Sequence, residues 1–163
     1  MNENFLGDFP SLRRAKQALS QAECLELLAR QKRGVLSVIS TNGYPYALPL
    51  NHYFLDGKLY FHCAKDGHKI RAIAACEKAC FCTFNDGEKI PDHWALRVKS
   101  VVVFGRVKLI ENEVQKERIC RALAHKFTDD EAYIDDEIRR GLGRVACLEL
   151  TPDFISGKSV KES

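Results

Sequence analysis

Gly34-Val35-Leu36-Ser37-Val38-Ile39-Ser40-Thr41-Asn42-Gly43-Tyr44-Pro45-Tyr46 decides the fold. Apolar, β-branched residues run up to Asn-Gly, the strongest short hairpin signal, and a second extended run begins behind it. That second strand is expected over Tyr44 to Phe54. Pro45 and Pro49 restrict it to a sheet edge or to irregular geometry. Asp56-Gly57 is another hairpin turn, and Lys58 to Cys63 reads as a third strand. Ala79 to Phe84, Ala95 to Ile110 and Arg144 to Leu150 complete the strands, with Gly105 marking a bulge or bend in the long one. Six or so strands joined by hairpin turns give a mainly β fold, a closed or nearly closed antiparallel barrel with peripheral helices.

The helices are read from their starts. Ser20-Gln-Ala-Glu23 is a capping-box pattern before Leu25, Leu27 and Leu28, so a helix is expected to end near Lys32. Ile70, Ile73 and Ala74 line one face of a short helix. Val114 to Phe127 is a helix with Ile119, Cys120, Leu123 and Phe127 inward, and Thr128 with Glu131 caps another that reaches about Arg140. The element order is not βαβ. Gly141-Leu142-Gly143 lies between a helix and a strand, the wrong order for a dinucleotide fingerprint, and reads as a C-cap and turn.

Length and composition exclude several classes. A chain of 163 residues suits one domain, read here as 1–163 with a loose arm over 1–10 and a tail over 159–163. The net charge of +3 is small and its basic residues are scattered, which argues against a nucleic-acid partner. No signal-peptide pattern opens the chain and no apolar run reaches membrane-spanning length, so a soluble cytoplasmic protein without a membrane partner is expected. The seven cysteines are odd in number and read as reduced thiols. Cys76, Cys80 and Cys82 form the one cluster, but no second ligand pair completes a metal site. Buried, apolar cysteine is the expectation, and no metal.

Phe61-His62-Cys63-Ala64-Lys65-Asp66-Gly67-His68-Lys69-Ile70 carries the chemistry. A strand runs out, turns at Asp66-Gly67 and opens a helix with basic residues at its first positions. Such a start attracts anions, because its first N–H groups lack partners and the helix dipole is positive there. Gly67 admits a phosphate close to the backbone, and His68 and Lys69 add charge-assisted bonds. The same residues also read as a solvated surface turn, and residue physics leaves both readings open.

The ordered set is familiar: Gly34 to Ser40, Asn42-Gly43-Tyr44-Pro45-Tyr46, Leu48-Pro49-Leu50-Asn51, Asp56 to His62, then Gly67-His68-Lys69. It resembles the pyridoxamine 5′-phosphate oxidase-like flavin-binding split barrels, and within them the nitroimidazole-resistance (Nim-type) flavoproteins. Lys99 to Gly105 and Ile155-Ser156-Gly157-Lys158 fit that branch, and the resemblance spans roughly residues 11 to 158. It implies a six-stranded antiparallel split β-barrel, a homodimer, and one FMN per subunit at the interface, with FAD as the other candidate. Gly67, His68 and Lys69 would hold the flavin phosphate, with His62 and Ala64 along the ribityl chain and phosphate. Leu48, Pro49, Leu50 and Asn51 would run beside the ring, and Ser100 and Val101 would approach the ring or the ribityl chain from another side. No catalytic side chain is assigned, since the redox chemistry belongs to the flavin.

The resemblance implies a flavin-dependent reductase of a small planar acceptor such as a nitroaromatic ring. True pyridoxamine 5′-phosphate oxidases carry an Arg-x-His element near the C-terminus, and Leu148 to Lys158 has none, so vitamin oxidation is not expected. The alternatives are a non-catalytic flavin or haem binder, for which His52, His62, His68, His93 and His125 are candidate axial ligands, and an interaction barrel without a cofactor. Trp94 reads as a packing residue.

Overall fold

A computed structural model describes Phe9 and residues 12–162. The described residues form α1 (Gln21–Arg30), β1 (Arg33–Ile39), β2 (Pro45–Asn51), β3 (Tyr53–Leu55), β4 (Lys58–Ala64), α2 (His68–Ala75), β5 (Lys78–Phe84), β6 (Glu88–Lys89), β7 (Leu96–Ile110), α3 (Glu113–His125), α4 (Glu131–Gly141) and β8 (Val145–Glu162). All strands pair antiparallel in the order β2-β1-β5-β7-β8-β4-β3, with β6 on β7. The sheet curls until β2 approaches β4 without pairing to it, which leaves the barrel split.

Two turns set the hairpins. At Asp56-Gly57 both residues take positive φ (50° and 76°), the tight turn that matches strand twist. At Asn42-Gly43 only Gly43 does (84°), and its N–H donates to Ser40 O, so the loop is longer than the two residues Asn-Gly signals. The barrel interior is closed by Leu36, Val38, Leu59, Phe61, Phe81, Val101, Val103, Leu148 and Leu150. Leu27 and Leu28 of α1 cover one end, held by the expected capping box between Ser20 and Glu23. A second cluster, Tyr60, Cys147, Ile119 and Leu123, fixes α3 on the outer face of β4 and β8.

Several expectations need correction. The described strands number eight, not six, because the expected strand Tyr44 to Phe54 is two and because β6 forms inside the 85–94 loop. The break falls at His52, whose ring Nε2 bonds Leu28 O at 2.8 Å while its backbone N–H donates to Lys32 O at 3.1 Å. β2 is also regular, paired with β1 at all seven residues. The last strand runs to Glu162 rather than Leu150, so residues 159–162 are strand and not tail. Pro152 does not end it, because a register shift opposite Phe104/Gly105 lets Asp153 stand out of the ladder. Phe127 is exposed, with the Lys32 ammonium 5.1 Å from its ring centre. Asp130, not Thr128, caps α4, accepting from Tyr133 N–H. Ala74 faces solvent while Ala72 and Ile73 are buried, and Trp94 is 80 % exposed. Of the expected arm over 1–10, only Phe9 is among the described residues, its ring stacked 5.0 Å from Phe154.

His52 makes the fold sensitive to acid. It is fully buried, Nδ1 has no partner, and burial pushes its imidazole down to about 4. A buried neutral histidine stabilises above its unfolded pKa near 6.5, and that contribution is lost as pH falls toward 4. Stability is expected to drop about 2 kcal/mol between pH 7.5 and pH 5 from this group alone. Urea unfolding at both pH values checks it: His52→Leu should show a smaller acid loss, and an undiminished one would contradict the assignment.

Candidate functional site

The α2 N-terminus is built by the end of β4 and the turn Lys65-Asp66-Gly67. Gly67 is the N-cap, with φ 108° and ψ −176°, a conformation essentially reserved for glycine. Nothing lies within 4 Å of where its Cβ would stand. α1, α3 and α4 are each capped by a side-chain oxygen, from Ser20, Asn112 and Asp130, whereas α2 has no side-chain cap. Its first N–H groups therefore keep their capacity for an outside acceptor.

His68 is anchored beside them. Its Nε2 lies 2.7 Å from the Ser40 hydroxyl at the end of β1, and its ring meets Tyr46 of β2 edge to face at 4.8 Å. Ser40 is buried, so the imidazole is set by a fixed partner. Lys69 is half-buried, and its charge opposes the upward push that burial gives the Cys63 thiol. Backbone N–H groups, an ammonium and an anchored imidazole thus gather at one glycine-led turn, an arrangement suited to a phosphate.

β2 runs from this point along the open edge of the sheet. Leu48 and Leu50 stand opposite Leu36 and Gly34 and point inward, whereas Pro49 stands opposite Val35. Alternation turns the N–H groups of even-numbered residues toward β1, as His52 N–H to Lys32 O shows. Pro45 and Pro49 fall on the other phase, where no ladder bond is lost. Ala47 and Asn51 are left as the N–H donors on the free edge.

The remaining candidates divide. His62 and Asn51 share an apolar cleft of about 250 Å³ with Cys120, Phe127, Tyr133 and Ile134, between β4 and the helices α3 and α4. Ala64, two residues on, is exposed beside it. Val101 is fully buried in the barrel, so its side chain is closed to any ligand. Ser100 pairs with Phe84 at the opposite end of β5 from Ala79, which pairs with Val38 near Ser40. Ser100 thus stands roughly 20 Å along the strands from the α2 turn. The structure brings Gly67, His68 and Lys69 together, brings Asn51 to His62, and leaves Ser100 apart. Sequence reasoning missed Ser40, Tyr46 and Cys120. The hairpin register places Tyr46 opposite Val38 and so diagonal to Ser40, but their contact with His68 is tertiary. All seven cysteines are free, and no metal-binding group of side chains occurs among the described residues.

A family model described as pyridoxamine 5′-phosphate oxidase matches residues 20–159. The chain belongs to the pyridoxamine 5′-phosphate oxidase family. Solved structures share the split-barrel fold of this family member. A candidate 5-nitroimidazole antibiotic resistance protein from Bacteroides thetaiotaomicron superposes with a TM-score of 0.75 at 20% identity, over 88% of this chain and 87% of that one. A FAD-binding protein from Mesorhizobium loti gives 0.68 at 20% identity, over 88% and 97%. A FAD and heme binding protein from Mycobacterium smegmatis gives 0.69 at 22% identity, over 88% and 72%. Comparison with curated proteins finds no match. No helix among the described residues is long and apolar enough to cross a membrane.

Proposed function

We propose that this chain binds a flavin, FMN or FAD, with its phosphate at the α2 N-terminus, and serves as a flavin-dependent reductase of small planar acceptors such as nitroaromatic compounds. The observation that carries the reading is the uncapped, glycine-led helix start flanked by His68 and Lys69, in a member of the pyridoxamine 5′-phosphate oxidase family. FAD-binding proteins among the structural neighbours support it. The residues present fit the group: the Gly67 turn leaves the space that a Cβ would otherwise fill. Lys69 and the N–H groups of α2 would hold the phosphate, and Ser40 would keep His68 directed at it. The free-edge N–H group of Ala47, three rungs along β2 from the Ser40 level, would orient the polar edge of the ring. Electron transfer is the chemistry a bound flavin supplies; the chain's part is to grip, orient and cover.

The site is completed, on this reading, by a second copy. Val35, Ile39 and Phe84 are exposed on the open face of β1 and β5, an apolar surface that no helix among the described residues covers. Ser100 and the α2 turn are too far apart in one chain to hold the same small group. A homodimer would bring the Ser100 region of one copy toward the α2 turn of the other. The protein is expected to sediment as a dimer at micromolar concentration; a monomer that retains flavin would contradict the shared site.

Activity is tested with flavin-loaded protein, a chemical reductant and a nitroaromatic acceptor under anaerobic conditions. Loss of nitro absorbance faster than with free flavin at equal concentration is expected. A rate no greater than free flavin would reduce the reading to a flavin binder.

A further inference from the structure

Outside the α2 turn, two cysteines from different elements meet at the cleft between β4, α3 and α4. Cys120 of α3 and Cys147 of β8 face each other with their Sγ atoms 3.7 Å apart. They belong to different elements, 27 positions apart in sequence, so no local repeat explains their meeting. Cys147 is fully buried, and its thiol has a second acceptor in Lys116 O at 3.8 Å. Cys120 is half-buried and forms part of the cleft wall together with His62. One sulfur is thus reachable from solvent and the other waits behind it.

We propose that Cys120 and Cys147 are a hydroperoxide-oxidisable dithiol, with Cys120 the attacking sulfur, Cys147 the resolving sulfur and His62 the residue that positions and activates Cys120. In the first step Cys120 Sγ, as the thiolate, attacks one peroxide oxygen. The O–O bond breaks, and the departing hydroxide takes up the proton the thiol gave up, leaving as water. Cys120 becomes a sulfenic acid. In the second step Cys147 Sγ attacks that sulfur, the S–O bond breaks, and hydroxide leaves with the Cys147 proton as a second water. Two electrons pass from the two thiols to one peroxide, and the product is a disulfide linking α3 to β8. The sulfurs must close from 3.7 Å to a bond of about 2.05 Å.

The surroundings favour charge on Cys120 rather than on Cys147. The Cys147 thiol hydrogen-bonds to Cys120, and the His62 ring and the Lys116 ammonium lie near; together they pull its thiol down against the opposing effect of burial. The enclosed Cys147, beside Cys120 and near Cys63, is pushed up. Lys116 is itself paired with Glu113, and Glu137 of α4 contributes a carboxylate to the cleft wall. The other cysteines lack this company: burial raises Cys24, Cys63, Cys80 and Cys82. A thiol that is both low and reachable is the kind that peroxides oxidise first.

The test is peptide mapping of the full-length protein after one equivalent of hydrogen peroxide, with free thiols alkylated and no reductant added. A single new cross-linked peptide pair containing Cys120 and Cys147 is expected. Cys147→Ala should leave Cys120 as a sulfenic acid that a dimedone probe traps. Alkylation of Cys120 by iodoacetamide at pH 7 should run about tenfold or more faster than that of Cys76. In His62→Asn the pH profile of that alkylation should move toward an ordinary thiol. Absence of the Cys120–Cys147 peptide in the unsubstituted protein would overturn the proposal, whether or not the variants fold. So would a Cys120 that reacts no faster than Cys76.

Discussion

Replacing His68 and Lys69 together by alanine is expected to weaken flavin binding by roughly 100-fold while the chain stays folded. A charge-assisted bond from Lys69 to a phosphate is worth about 1.5–3 kcal/mol, or roughly 10- to 150-fold in Kd. His68 adds to that through an imidazole that Ser40 already holds in place at 2.7 Å, so little ordering is needed on binding. Neither side chain is fully buried. The fold loses the Ser40 partner and little else, about 1 kcal/mol, which is roughly 2–4 °C in Tm for a chain of this size. Flavin retained after dialysis, measured by absorbance against the unsubstituted protein, gives the result. Full occupancy in the double variant would remove the phosphate from the α2 turn.

Gly105→Ala is expected to destabilise the fold strongly through a single added methyl group. A Cβ there would stand 2.3 Å from Thr151 O and 2.9 Å from Leu150 Cδ2. The first obstacle is backbone, which no rotamer change relieves. The position lies at the register shift where β7 and β8 pass from one half of the sheet to the other. Overpacking at such a crossing should cost about 2–4 kcal/mol, lowering Tm by roughly 5–15 °C. Gly143→Ala is the control, since nothing lies within 4 Å of its Cβ position, and it should change Tm little. Equal melting of the two variants would mean that β8 does not pack on β7 as described.

These two positions also show what the sequence could and could not reveal. The glycine at 105 announces a bulge, and the structure has its register shift there; that the extra residue is Asp153, on the partner strand, depends on pairing between segments some 50 residues apart. Thr151-Pro152 reads as a stop, yet the ladder continues because the bulge takes up the irregularity. The break at His52 has the same origin. Nothing local ends the strand at Asn51, and the cause is a ring bond to Leu28 O, 24 residues away. Helix ends were legible where capping residues compete little, as at Ser20, and misread where two candidates sit close together, as with Thr128 and Asp130.

The candidate site divides along the same line. The glycine-led turn and its two basic residues are contiguous in sequence, and they close the ordered set on which the family resemblance rests. Val101 shows the opposite case, a residue that the resemblance implied near the ring or the ribityl chain and whose side chain the strand alternation turns into the core. The cleft shared by Asn51, His62 and Cys120 needs β2, β4 and α3 in place before it exists. No spacing in the chain announces it.

The visible absorbance spectrum of the purified protein, with extraction and identification of any released chromophore, tests the central claim most directly. A flavin spectrum, with FMN or FAD in the extract or after loading of the colourless protein, is the predicted result. A colourless protein that takes up neither flavin would contradict it.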